Sequence, residues 1–137
     1  MSCQKIISGG QTGVDRGMLD AALESGFPCG GWCPPGRMAA DGRISEKYPL
    51  KEMATGGYDE RTRQNVKDSD GTLVITSPEP EGGTRLTILT VQESGKPLLI
   101  VNPLSAEELP RLAGSIWEWI CLHDIRILNC AGPRAVL

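Results

Sequence analysis

Short apolar runs alternate with amphipathic stretches along the whole chain. Lys5-Ile6-Ile7-Ser8 reads as a buried strand. After a glycine-rich break, Met18, Leu19, Ala22 and Leu23 recur at i, i+1, i+4 and i+5, the inner stripe of a helix. Gly26 stands where a left-handed cap would end that helix. Residues 27–33 predict a second short strand, and residues 34–57 a long loop rich in proline, glycine and charge. In a compact domain such a loop either serves function or hides local structure. Residues 58–69 predict a polar helix with a narrow seam of Tyr58, Thr62 and Val66. Continuous apolar strands follow at 72–76 and 98–101, separated by a helix over 86–93. Ser105-Ala106-Glu107-Glu108 has capping-box form, and Pro110 suits a first helical position. Leu112, Ile116, Trp119, Ile120 and His123 then share one helix face, with His123 as a helix-end packing residue. Residues 124–128 predict a last strand. Strands that alternate with helices and read as unbroken apolar runs favour a parallel sheet covered on both faces. The fold class expected is three-layer α/β/α with a mostly parallel sheet of about five strands, in one domain over residues 1–137.

Composition narrows the function. Lys+Arg 14 against Asp+Glu 17 gives a net charge of −3, without the basic surplus of a dedicated nucleic-acid binder. No apolar run reaches the ~18 residues of a membrane span, and the first residues lead into a strand without a signal-peptide core. A cytoplasmic protein with neither nucleic acid nor membrane as partner is expected. Five cysteines and one histidine include no C-x-x-C, which favours reduced thiols over a zinc site. Glycine is abundant, 17 residues, and glycine lets a backbone approach a ligand closely.

Where the glycines fall is informative. Ligands of open parallel sheets bind beyond the carboxyl ends of the strands. The segments expected there hold Gly9, Gly10, Gln11, Thr12, Gly13 and Asp15, then Arg37, then Gly82, Gly83 and Thr84, then Asn129 and Arg134. Strand, glycine turn and helix occur together twice, at 9–13 and at 82–84, and each presents backbone N–H groups beside a helix N-terminus, where an anion is favoured. Neither is a Walker A loop or a G-x-G-x-x-G turn. Asp15 either complements the helix dipole or bonds a sugar hydroxyl. Arg37 and Arg134 either pair with an oxyanion or form surface salt bridges. Arg61 and Asn65, four apart on the polar helix, either face solvent or point at a ligand or subunit partner. Trp32 is core or a stacking platform, and Cys33 and Cys130 are buried thiols or soft metal ligands.

These motifs together resemble one family. Ile7-Ser8-Gly9-Gly10-Gln11-Thr12-Gly13-Val14-Asp15-Arg16, Gly31-Trp32-Cys33-Pro34, Gly36-Arg37, Asp41-Gly42, Arg61-Thr62, Asn65-Val66, Asp68-Ser69-Asp70-Gly71-Thr72, Gly82-Gly83-Thr84 and Leu128-Asn129 with Ala131-Gly132-Pro133-Arg134 look like the putative molybdenum carrier proteins, the circularly permuted YpsA-like branch of the SLOG superfamily. The resemblance covers nearly the whole chain. It implies a Rossmann-like fold and a nucleotide or nucleotide-derived ligand; together with the glycine turns, the expected ligand bears a phosphate, as a nucleotide or a molybdopterin-type cofactor does, and is held at residues 9–13 and 82–84. Asp15, Arg37, Arg61, Asn129 and Arg134 would be further partners of that ligand. It also relates the chain to LOG-type enzymes, which release the base from nucleoside monophosphates and carry a glutamate after the glycine motif. Here Arg85, Leu86 and Thr87 follow instead. A binding or carrier protein is therefore expected, with a nucleotide N-glycosidase or hydrolase as the alternative. Asp15, Glu79 and Glu81 would then supply the acid or base. A polar helix and an open sheet edge also suggest a homo-oligomer, a dimer or tetramer.

Overall fold

The computed structural model describes residues 3–103 and 106–135. In chain order the elements are β1 (Lys5–Ile7), α1 (Val14–Ser25), β2 (Cys29–Gly30), β3 (Trp32–Cys33), β4 (Met38–Ala39), β5 (Gly42–Arg43), β6 (Lys51–Glu52), α2 (Tyr58–Asp68), β7 (Gly71–Ile75), α3 (Gly82–Ser94), β8 (Leu98–Val101), α4 (Leu109–Leu122) and β9 (Ile127–Ala131). Five strands form one parallel sheet in the order β2-β1-β9-β7-β8. The strand that ends the chain thus inserts between β1 and β7, and the loops leaving these three strands converge on one rim.

Strand periodicity separates the two faces. Ile6, Leu128, Leu73 and Cys130 pack with Met18 of α1 and with Ile116, Trp119 and Ile120 of α4. The alternate positions face α2 and α3, where Val66, Val74, Ile88 and Val91 are buried. This is the three-layer, mostly parallel Rossmann-like arrangement expected from the pattern. The second strand divides in two, β2 pairing with β1 and β3 with β6.

The stretch at 34–57 is not a bare loop. It contains a 3-10 turn at Pro35–Arg37, the β4–β5 hairpin, and β6. Ile44, Tyr48 and Leu50 from it build a second core cluster with Leu19 of α1 and Cys33. Arg37 organises that cluster. Its buried guanidinium donates to four carbonyls, Ile44 at 3.0 Å, Leu50 at 3.2 Å, Ser45 at 2.7 Å and Tyr48 at 2.8 Å.

The last strand starts later than the apolar pattern suggests. Asp124 takes a left-handed conformation with φ 50°, and the Asp70 carboxylate accepts the N–H groups of Arg126 and Ile127. The chain turns there, and pairing runs to Ala131. α4 begins at Leu109 with Pro110 in its first turn. Ser105 of the expected capping box lies outside the described residues. His123 caps the other end of α4, edge-on to Trp119 at 6.1 Å between ring centroids.

Candidate functional site

A cleft of ≈ 710 Å³ opens on the converging rim. The loop after β1 supplies Gly9, Gln11 and Asp15, and α2 supplies Tyr58, Asp59, Arg61, Thr62 and Asn65. The β7–α3 loop and the start of α3 add Thr76, Ser77, Glu79, Pro80, Glu81, Gly82, Gly83, Thr84 and Thr87. The end of β9 adds Asn129, Cys130, Ala131, Gly132, Pro133 and Arg134. Nine residues expected to bind ligand therefore meet in one place: Gly9, Gln11, Asp15, Arg61, Gly82, Gly83, Thr84, Asn129 and Arg134.

The other four lie outside. Arg37 is spent on the carbonyls described above. Gly10 has its backbone N–H 3.4 Å from the Ser8 hydroxyl. Thr12 and Gly13 face the Gly-Pro-Arg segment instead of the cleft. Thr12 Oγ1 accepts the N–H of Ala135 at 3.2 Å, and the N–H of Val14 goes to the Pro133 carbonyl at 3.3 Å. Gly13, at φ 85°, lies so close that a Cβ would fall 2.4 Å from the Pro133 oxygen. These residues hold the loop after β9 against the start of α1.

The two glycine turns differ in what their amides face. At the first, the protein supplies its own anion. Asp15, in the first turn of α1 and 7% exposed, is acted on by the backbone amides of Gln11 and Gly9 and lies 3.4 Å from Arg61 Nη1. Burial raises its pKa to about 6, against the pull of Arg61, of those amides and of Arg16. Gly9 is glycine because the Arg61 side chain crosses it: a Cβ there would sit 1.7 Å from Nη1.

The second turn is open. α3 starts from Glu81 in extended conformation, without a side-chain cap and without an acid in its first turn. Its first helical bond is Arg85 N–H to the Glu81 carbonyl, so among the described residues the N–H groups of Gly82, Gly83 and Thr84 have no acceptor. Gly82, Gly83 and Thr84, at the positive end of the helix dipole, line the cleft.

Two side chains, one from α2 and one from the loop after α3, set the position of α2. Asn65 brackets the backbone of Trp32, accepting its N–H at 2.8 Å and donating to its carbonyl at 3.0 Å. At the far end Lys96 Nζ donates to the carbonyls of Val66, Lys67 and Ser69 at 3.1, 2.8 and 2.7 Å. Trp32 is outside the cleft, its indole N–H bonded to Asp68 at 2.7 Å. Cys130 lines the cleft wall, but burial and the nearby Asp15 push its thiol far up. Among the described residues no group of three His, Cys, Asp or Glu side chains could hold a metal ion, and no helix is long and apolar enough to cross a membrane. Sequence reasoning missed Tyr58, Thr76 and Thr87 as cleft residues. For Thr76, its place at the carboxyl end of an apolar strand was the available signal.

Known proteins place the chain. The model of the Circularly permutated YpsA SLOG family matches residues 6–136. No curated protein matches. A crystal structure of a "Putative molybdenum carrier protein" from Syntrophus aciditrophicus SB, at 1.45 Å, is 46% identical, with a TM-score of 0.92 over 98% of this chain and 84% of that one. On that coverage and identity, the chain belongs to the circularly permuted YpsA-like family of the SLOG superfamily.

Proposed function

We propose that the protein binds a phosphate-bearing small molecule in this cleft, a nucleotide or a molybdopterin-type cofactor, and carries it unchanged. The observation that supports this reading is the uncapped start of α3: among the described residues the N–H groups of Gly82, Gly83 and Thr84, which line the cleft, have no protein acceptor. Arg134 would be a cationic partner for the anion, and Asp15 would read a hydroxyl. The relative described as a molybdenum carrier supports the carrier role by likeness. Calorimetric titration with inorganic phosphate, nucleoside monophosphates and molybdate tests this. Saturable binding of a phosphate compound is expected, and no heat with any of them would remove the proposal.

One observation favours an enzymatic reading, a nucleotide-processing hydrolase. Asp15, a buried carboxyl with its pKa raised to about 6 at the cleft floor, has the character of an acid or base working near neutral pH. Release of free base from nucleoside monophosphates, abolished by Asp15→Asn, would support that reading over a carrier.

Self-association is proposed through β8. It is an outer strand of the sheet, and Ile100 on it and Leu109 and Trp117 on α4 are about half exposed. A second copy pairing antiparallel about a two-fold axis would cover the open edge with an identical one.

A further inference from the structure

Arg61 is not fully used by the protein. It lines the cleft and is 7% exposed. A guanidinium carries five N–H donors in a rigid fork. Nε of Arg61 donates to the Tyr58 carbonyl at 3.3 Å, and Nη1 to the Asp15 carboxylate at 3.4 Å. Nη2 has no acceptor among the described residues. Every fully buried side-chain nitrogen or oxygen described does have a partner. Nη2 is therefore not sealed in the core, and the open space that Arg61 borders is the cleft. The side chain is held in that place, laid across Gly9 with its guanidinium carbon 5.4 Å from the centre of the Tyr58 ring. Asp15 is surrounded by few other charges. α1 itself brings Arg16, which is paired with Asp41, and β9 brings the Cys130 thiol. Lys5 of β1 and Cys29 of β2, the titratable groups of the other strands packed on α1, act on each other. Asp59, Glu79, Glu81 and Arg134 line the same cleft.

We infer that binding in this cleft is proton-linked: an anion that takes up Nη2 shares one guanidinium with the Asp15 carboxylate, and Asp15 gains a proton from solvent as the anion enters. This rests on the phosphate reading above and adds how that site responds to pH. A cation beside a carboxyl favours its ionised form, and a like charge disfavours it. The incoming anion acts in both ways, drawing on Arg61 and adding negative charge to a site that excludes water. Asp15 is the group able to relieve this. Burial has already brought its pKa to about 6, so a further rise carries it through neutral pH. Cys130, whose thiol burial pushes far up, already holds its proton. Linkage is reciprocal, so a proton on Asp15 strengthens anion binding as much as the anion strengthens protonation. The cleft thus holds its anion more firmly as pH falls and releases it as pH rises.

Titration calorimetry of the full chain with inorganic phosphate at pH 5 and pH 8, for the wild type and Asp15→Asn, tests the inference. The titration of phosphate itself is common to both proteins, so the difference between them belongs to Asp15. At pH 8 the variant, which keeps the shape of the side chain and loses its charge, should bind phosphate at least about tenfold more tightly than the wild type. At pH 5, where the wild-type carboxyl is largely protonated, the two should agree within about twofold. Carbon NMR of the Asp15 carboxyl gives the same reading without a substitution: its titration midpoint in the wild type should rise on saturation with phosphate. A ratio between the two proteins that is the same at both pH values or moves the other way, or a midpoint that bound phosphate leaves in place, overturns the inference while the phosphate reading stands. If neither protein binds phosphate, both fall.

Discussion

Asp15 and Arg61 meet at the floor of the cleft, carboxylate to guanidinium at 3.4 Å, and both side chains are about nine-tenths buried. The pair joins α1 to α2 beneath the space a ligand would fill. The guanidinium only partly offsets the cost of burying the carboxylate, because Asp15 still titrates near 6 instead of 3.8.

That shift makes stability depend on pH in a defined direction. Between about pH 4 and 6 the folded protein holds a proton on Asp15 that the unfolded chain has lost. The free energy of unfolding therefore falls as pH rises through this window, by about 2 kcal/mol from this group. Asp15→Asn lacks the titration. Urea unfolding of both proteins at pH 4 and pH 7 should show the wild type losing that amount relative to the variant. An unchanged difference would mean that Asp15 is ionised throughout.

Gly83 separates helix stability from anion binding. Its Cβ position is open, and α3 has no acid in its first turn. In Gly83→Asp a tethered carboxylate would occupy the place of the ligand's phosphate and complement the helix dipole, a gain of roughly 0.3–1 kcal/mol. The melting temperature should hold or rise while phosphate affinity drops at least about tenfold. Gly83→Ala should keep both the fold and the binding. Equal phosphate binding by the aspartate variant would move the anion away from α3.

Arg37 is the converse case. Its guanidinium satisfies four carbonyls of the 44–50 segment and lies outside the cleft. Arg37→Ala should cost about 2–4 kcal/mol, because buried carbonyls lose a charged donor. Phosphate affinity, measured well below the melting point, should stay within twofold.

The contrast between these residues shows what the sequence can express. Residues 6–7 and 98–101 were legible as strands because an unbroken apolar run has few other uses in a short alternating pattern. The clustering of Gly9, Thr84 and Arg134 was legible because one topological rule sends every strand's carboxyl end to the same rim. Which glycine turn keeps its amides free was not. That depends on the Asp15 carboxylate reaching back to Gly9 and Gln11 and on the Pro133 carbonyl taking the N–H of Val14. These are tertiary contacts with no local signature. The late start of β9 has the same kind of cause, the Asp70 carboxylate holding the backbone of Arg126 and Ile127. The second core hid in the 34–57 stretch because Ile44, Tyr48 and Leu50 follow neither helical nor strand spacing.

The open edge of the sheet yields the last expectation. β8 pairs with β7 on one side only, and Ile100 is 45% exposed at its centre. An apolar edge strand left bare is a pairing and aggregation hazard, and a charge at its middle is the usual remedy. Sedimentation equilibrium should find the wild-type protein as a dimer or a multiple of one. Ile100→Lys should sediment as a monomer, because two ammonium groups would face each other across the two-fold axis. Its melting temperature, now independent of protein concentration, should fall as the linkage to assembly is lost. A monomeric wild type at micromolar concentration would leave β8 uncovered and require another explanation for its apolar edge.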